Sequence, residues 1–212
     1  MSLKQLSVST DEPVTLAEAK LHLRVETDDD DTLIASLITA ARQGAETMTQ
    51  RQLMTARWRL YLDSFPAGQM FAPFGAAFSI PQTAILLHKP PLQSVDSINY
   101  LDMSGAQQTL DSSKYTVDLS CEPARITPIF GTVWPPTLPQ INAVWVDFTA
   151  GYADASSVPD GIKAWIKIRV GSLYMHREEV AILPRGKMEE LPFVNTLLDP
   201  YRVVTMLSLI HI

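Results

Sequence analysis

Asp31-Thr32-Leu33-Ile34-Ala35-Ser36-Leu37-Ile38-Thr39-Ala40-Ala41-Arg42-Gln43-Gly44-Ala45-Glu46-Thr47-Met48-Thr49-Gln50 carries the strongest periodic signal in the chain. Ile34, Ile38, Ala41, Ala45 and Met48 recur at spacings of four and three, and Leu33 and Leu37 widen the stripe. That is the pattern of a helix laid against a core. It predicts roughly five turns at 3.6 residues per turn. Ala40, Ala41, Gly44 and Ala45 are small, so a second helix can approach closely, from the same chain or from a neighbouring copy. Asp28-Asp29-Asp30-Asp31 stands at the helix start. Carboxylates are hard oxygen ligands for metals, but the run lacks the glycine and the distal glutamate of a calcium loop. It reads as an N-cap with further acid at the positive end of the helix dipole.

Upstream, Thr15-Leu16-Ala17-Glu18 has the form of a capping box, behind Pro13. It predicts a short first helix from Thr15 to about Val25. Downstream the pattern changes. Trp58, Leu60 and Leu62 alternate with Arg59, Tyr61 and Asp63, as in a half-buried strand. Ala84–His88 is a short apolar strand before Pro90-Pro91. Ser94–Leu101 and Ala106–Leu110 flank Asp102-Met103-Ser104-Gly105, which predicts a β-hairpin. Lys114–Leu119 and Ala143–Phe148 read as further strands. Pro66–Pro81 and Pro128–Pro139 read as long loops rich in aromatic side chains. Such loops mark contact with a partner or fold back over their own core. Helical character returns after Ser156-Ser157-Val158-Pro159-Asp160, a helix-start signal. Ile162, Trp165, Ile166, Val170 and Leu173 form the main stripe of a helix expected to run from Pro159 to about Val180. Ile168 and Met175 spread apolar character off that stripe. A helix apolar over more than half its circumference needs burial on two sides, and one of those sides is expected to be another subunit.

The chain has 212 residues, 46% hydrophobic and 19% charged, with a net charge of −6. This is the composition of a globular protein, with length for one sizeable core or two small ones. No apolar run reaches the ~18 residues needed to span a bilayer, and Met1–Gln5 has no signal-peptide character. Cys121 is the sole cysteine, so a reducing compartment is expected. An electrostatic grip on DNA needs a basic stripe, and none is present. Of His22, His88, His176 and His211, no two sit at metal-ligand spacing. No nucleophile elbow or phosphate-binding loop occurs. His176-Arg177-Glu178-Glu179 sits where His and Arg complement a helix C-terminus. No catalytic residue, cofactor or metal is therefore expected.

Three segments carry a resemblance. The first is Pro13–Val25, leading through Asp28–Asp31 into Leu33-Ile34 and the small-residue helix that ends in Gln50-Arg51-Gln52-Leu53. The second is Val158-Pro159 through Leu173-Tyr174 and His176-Arg177-Glu178. The third is Leu191-Pro192-Phe193 with Leu197-Leu198 and Pro200-Tyr201-Arg202. Together they resemble the head–tail connector (adaptor) family of tailed bacteriophages, in a longer version with a β-rich insertion. The resemblance implies an α+β fold, a helical connector core of two N-terminal helices plus a C-terminal helix, with an inserted β-rich subdomain. Residues 1–54 and 151–206 are expected to form the core and residues 55–150 the insertion. The implied function is a structural virion protein, not an enzyme. About a dozen copies would form a ring between portal and tail, with a tail-side stopper or completion protein below and DNA passing without specific binding. The expected location is the virion neck, assembled in the host cytoplasm, away from any membrane. Another neck or tail-completion protein, or a small hydrolase without recognisable motifs, are the alternatives.

Candidate subunit-interface residues are Ile168, Met175, Ala40 and Gly44. Leu191, Phe193, Leu197, Leu198, Tyr201 and Arg202 are candidates for docking onto the portal or neck. Leu191–Arg202 is expected to order only on assembly, with folding back on its own subunit as the alternative. Leu207-Ser208-Leu209-Ile210-His211-Ile212 follows this ending and, as nucleotides, matches a transposon end used as a sequencing adapter. Residues 207–212 are expected to be non-native.

Overall fold

Thr15 opens the first helix as its sequence predicts. Its hydroxyl accepts from Glu18 N at 3.2 Å, and Glu18 Oε2 accepts from Thr15 N at 2.8 Å, closing the capping box. These bonds, Thr15's backbone N–H foremost, hold the Glu18 carboxyl below its ordinary pKa. The computed structural model describes residues 1–66, 83–176 and 192–203. Helix α1 spans Leu16–Leu23, α2 Asp31–Thr49, α3 Asp160–Met175 and α4 Pro192–Thr196. The expected end of α3 at Val180 lies outside the described residues, as do the docking candidate Leu191, the tail 207–212 and most of the loop 66–81.

The chain divides into two compact units, Met1–Val8 with Thr55–Gly151, and Ser9–Met54 with Tyr152 onward. The second is helical. Its core gathers Ile34, Ile38, Ala41 and Ala45 from α2 with Ile162, Trp165, Ile166 and Val170 from α3, plus Val14, Ala19, Leu53, Met54 and Val158. Ile34, Ile38, Ala41 and Ala45 are fully enclosed, while Leu33, Leu37 and Met48 at the margins of the stripe are half-buried. Burial of a Leu- or Ile-sized side chain contributes about 1.5–3 kcal/mol, so each of these residues is a substantial contribution to the helical unit.

The acidic run does other work than capping. Asp30 stands at the N-cap of α2 but makes no side-chain cap bond. Lys20 Nζ from α1 instead donates to Asp28 at 2.6 Å and to Asp31 at 2.7 Å. Tyr174 Oη from α3 donates to Asp30 Oδ2 at 2.5 Å. The carboxylates thus tie α1, α2 and α3 together at one end.

The other unit is all β. Strands β1 (Ser2–Val8), β2 (Ala56–Leu62), β8 (Val144–Ala150), β4 (Leu92–Leu101) and β5 (Gln107–Thr109) form one antiparallel sheet in that order. Strands β3 (Ile85–Leu87), β7 (Ala124–Pro128) and β6 (Tyr115–Asp118) form a second. One core joins them: Leu60, Ile98, Val144, Val146 and Phe148 from the first sheet meet Ile85, Leu87 and Ile126 from the second. Residues 1–8, expected with the helical arms, are a strand instead, paired with β2 from Ser2↔Tyr61 to Val8↔Ala56. Strand β7 lies where the sequence shows only a mixed stretch before the predicted loop. Its short run Ala124–Pro128 pairs on both sides, which fixes it without a long periodic signature. The predicted hairpin is present as β4–β5. Its tip is held by Asp102, which accepts from Ser104 N, Ser104 Oγ, Ala106 N and Gln108 Nε2, while Gly105 takes φ +82°. The Ser104 hydroxyl first, then the Gln108 amide, hold the Asp102 carboxyl down at about 2.

Candidate assembly surfaces

In the helical unit, α2 presents Arg42 beside the core. Its Nε donates to Glu12 Oε2 at 2.7 Å, and its Nη1 donates to Glu46 at 3.2 Å. Thr39 Oγ1 also donates to Glu12, at 2.7 Å. Glu46 further accepts from Gln52 Nε2 and from Leu53 N. Burial opposes the Arg42 charge, but the two glutamates more than compensate, and the guanidinium is held more firmly protonated. This network clamps the segment before α1 and the turn after α2 onto the helix.

The small-residue face expected to meet a helix does so within the chain. A Cβ on Gly44 would stand 3.5 Å from the Trp165 ring of α3, so Gly44 gives room to a helix of its own subunit. Ala40 is exposed. On α3 the structure separates the stripe as the sequence does. Ile162, Trp165, Ile166 and Val170 are buried, Ile168 is half-buried outside the helical core cluster, and Met175 is 74% exposed.

The third group requires a correction. Leu191–Arg202 is expected to dock on a partner, yet its described residues, 192–202, fold back on their own unit. Leu198 is fully buried in the helical core, and Val194, Leu197 and Tyr201 pack against it. Arg51 Nε donates to Tyr201 O at 2.5 Å, and Val203 N donates to Thr49 O at 3.0 Å. Trp165 Nε1 donates to Asn195 Oδ1 at 3.4 Å. Gly161 leaves the space for Tyr201: a Cβ there would come within 3.0 Å of its ring. The segment carries more apolar area than a free tail tolerates, and α2 and α3 offer a groove that covers it. Arg202 is exposed and pairs with Asp199 at 3.1 Å. The side chain of Phe193 is not described.

In the β unit, the loop 128–139 divides between its two sequence readings. Trp134 folds back, stacking on Phe65 at 4.8 Å and donating from Nε1 to Thr83 O at 2.7 Å. Phe130 and Val133 stand fully and almost fully exposed. The larger sheet has one apolar face and one polar face. Across the polar face run cross-strand rows, Lys4–Arg59–Asp147–Ser97 and Ser7–Arg57–Thr149–Ser94. Arg59 meets Asp147 with two bonds, 2.6 and 2.8 Å, and this contact, before any other, holds Arg59 firmly charged. Among the described residues no group of three or more His, Cys, Asp or Glu side chains could hold a metal ion. No described helix is long and apolar enough to cross a membrane.

Residues 13–85, which span α1, α2 and β2, match the family model of the phage gp6-like head-tail connector protein. No curated protein matches the chain. Among solved structures, a chain of the neck of an empty gene transfer agent (GTA) particle, computed with six-fold symmetry, has the same fold. Its TM-score is 0.74 at 22% identity, covering 97% of this chain and 97% of that one. A chain of a native GTA virion gives 0.72 at 22% identity, and one of a native GTA neck computed with twelve-fold symmetry gives 0.69 at 21%, both with 97% coverage of each chain. At such identities the likeness is one of fold. The family match covers residues 13–85, about a third of the chain, and the likeness to the neck and virion chains extends over nearly all of it as a likeness of fold.

Proposed function

We propose that the protein is a subunit of a ring in the neck of a tailed phage or phage-like particle, seated between portal and tail and continuing the DNA channel. The observation that carries this reading is the conjunction of the connector family match over 13–85 with full-length likeness to a neck chain. The six-fold and twelve-fold symmetry under which the similar necks were computed supports a copy number of about a dozen. The helical unit makes the main subunit contacts. Ile168, Met175 and Ala40 offer an apolar surface its own core does not use, whereas Gly44 serves the α2–α3 seam. Portal on one side and a stopper or completion protein on the other are the partners, and assembly takes place in the host cytoplasm. The net charge of −6 suits a channel wall that DNA slides past.

Electron microscopy of the purified protein, alone and mixed with its cognate portal, tests the reading. Closed rings, or rings formed on the portal, are the expected result. A protein that stays monomeric at high concentration and with portal present overturns it. Ile168→Glu should reduce ring formation while leaving the circular dichroism of the monomer unchanged, because a charge buried unpaired in an interface is costly. Unfolding of the monomer would move Ile168 from the interface to the core.

A further inference from the structure

Strand β1 is an edge. Among the described strands it pairs with β2 alone, along one side, and Ser2, Lys4, Gln5, Leu6 and Ser7 are all exposed. At the opposite edge, β5 pairs only with Asn99–Leu101 of the ten-residue strand β4, and Leu110 N extends that contact to Ile98 O. The outer side of Leu92–Ser97 pairs with no described strand. A row of open backbone donors and acceptors is either blunted or used for pairing with another chain.

We infer that these two edges pair with each other between neighbouring copies, β1 of one subunit adding to β4 of the next, so that the sheet continues from subunit to subunit. This rests on the ring reading above. Two observations select a second copy as the occupant. The first is direction. The sheet alternates, so β1 runs antiparallel to β2, parallel to β8 and antiparallel to β4. A rotated copy that keeps its orientation therefore brings its β1 antiparallel against β4, and the alternation continues unbroken. The second is charge. Each edge strand carries one charged residue, Lys4 on β1 and Asp96 on β4, of opposite sign. Both lie on the polar face: Lys4 is opposite Arg59, and Asp96 Oδ2 accepts from Arg57 Nε at 3.3 Å while its carboxylate takes the Thr149 hydroxyl at 3.2 Å. Lysine on an edge ordinarily deters pairing. It does so unless the incoming strand offers an acid at that position, as Asp96 on the β4 edge of a second copy can. The β-bulges at Gln5/Ser7 and Val95/Ser97 restrict the register further, so an unrelated strand would fit poorly.

The test is charge reversal read by assembly. Lys4→Glu, Asp96→Lys, the double variant, and an equal mixture of the two single variants are compared with wild type by sedimentation and electron microscopy. Each is first shown to keep the wild-type circular dichroism. Lys4→Glu alone should raise the concentration needed for half-assembly about tenfold, since like charges then face each other. The double variant and the mixture should both recover, because each restores an acid–base pair at every junction. Carbodiimide cross-linking of wild-type rings should join Lys4 of one copy to Asp96 of another, a readout that stands even if Asp96→Lys fails to fold. Wild-type rings with Lys4→Glu assembling normally, or with Lys4 cross-linked only elsewhere, overturn the edge pairing and leave the ring intact. Absence of rings in wild type removes the ring reading and the pairing with it.

Discussion

Arg57 and Arg59 sit two residues apart on β2 and each meets an aspartate on the polar face of the sheet, but the two pairs are not equivalent. Arg57 is more than half exposed and contacts Asp96 through one bond of 3.3 Å. An exposed pair of that kind contributes at most about 1 kcal/mol. Asp147 is only 7% exposed and is held by two short bonds from Arg59. Removing the guanidinium leaves a buried carboxylate without its counter-charge. Arg59→Ala should therefore destabilise the protein by about 2–3 kcal/mol, and Arg57→Ala by under about 1 kcal/mol, in urea denaturation. Equal losses would mean that the Arg59 pair is solvated in solution. The sequence shows alternation on β2 but not which arginine finds a buried partner, since Asp147 is distant in the chain and the pairing is set by strand register.

Helices α2 and α3 place two glycines in contrasting surroundings. Gly44 has ordinary van der Waals room, 3.5 Å from Trp165. An alanine there gains helix propensity and fills that room, so Gly44→Ala should stabilise by about 0.5–1 kcal/mol. Gly161 has no such room: its Cβ would press on Tyr201 at 3.0 Å and stand 3.4 Å from Leu197 O. The helix gains by the same amount, but the C-terminal segment must shift. Gly161→Ala should thus speed amide exchange selectively over residues 192–203, and leave α2 and α3 protected. Uniform protection after Gly161→Ala would show that the segment gives way at no cost. The Pro192–Tyr201 segment illustrates what periodicity conveys. Its helical spacing of apolar residues was legible, and it does contain the short helix α4. Whether that apolar face covers a partner or its own subunit depends on a groove made by α2 and α3, which no local pattern describes.

The chain forms two units and passes between them three times, after Val8, after Met54 and after Gly151, and Met54 and Tyr152 form an isolated bridge within the helical unit. Residues 1–8 belong with the β unit, so a deletion of 55–151 alone would leave β1 without its partner β2. Removing 1–8 together with 55–151, and joining Met54 to Tyr152 through a short Gly/Ser link, should leave the helical unit folded. Retention of helical circular dichroism and of a cooperative thermal transition is the expected result. Loss of both would show that the helical unit depends on the β unit. At this scale charge also matters. With a net charge of −6, the protein should bind duplex DNA no better than weakly at physiological salt. Tight, salt-sensitive retention in a gel shift would contradict the passive channel wall.

The periodic signals are what the sequence determined by itself. The 3.6-residue stripe of Ile34, Ile38, Ala41 and Ala45, the Thr15–Glu18 capping box, the main stripe of α3 and the β4–β5 hairpin all follow from neighbours in the chain, because local backbone bonding and one-sided burial leave a period. Two of these signals, the capping box and the α2 stripe, lie within the residues 13–85 that match the connector family model. Tertiary structure decided what depends on distant partners. Strand β1 exists because β2 pairs with it. The acidic run stands at the N-cap and first turn of α2 as read, but its side chains bond to Lys20 and Tyr174 rather than to the helix N–H groups, and Leu198 ends in the core rather than at a docking face. Each of these outcomes is a competition between water and a partner remote in sequence. It is settled only when the fold brings that partner within bonding distance, since neither an ion pair nor an apolar contact leaves a periodic trace.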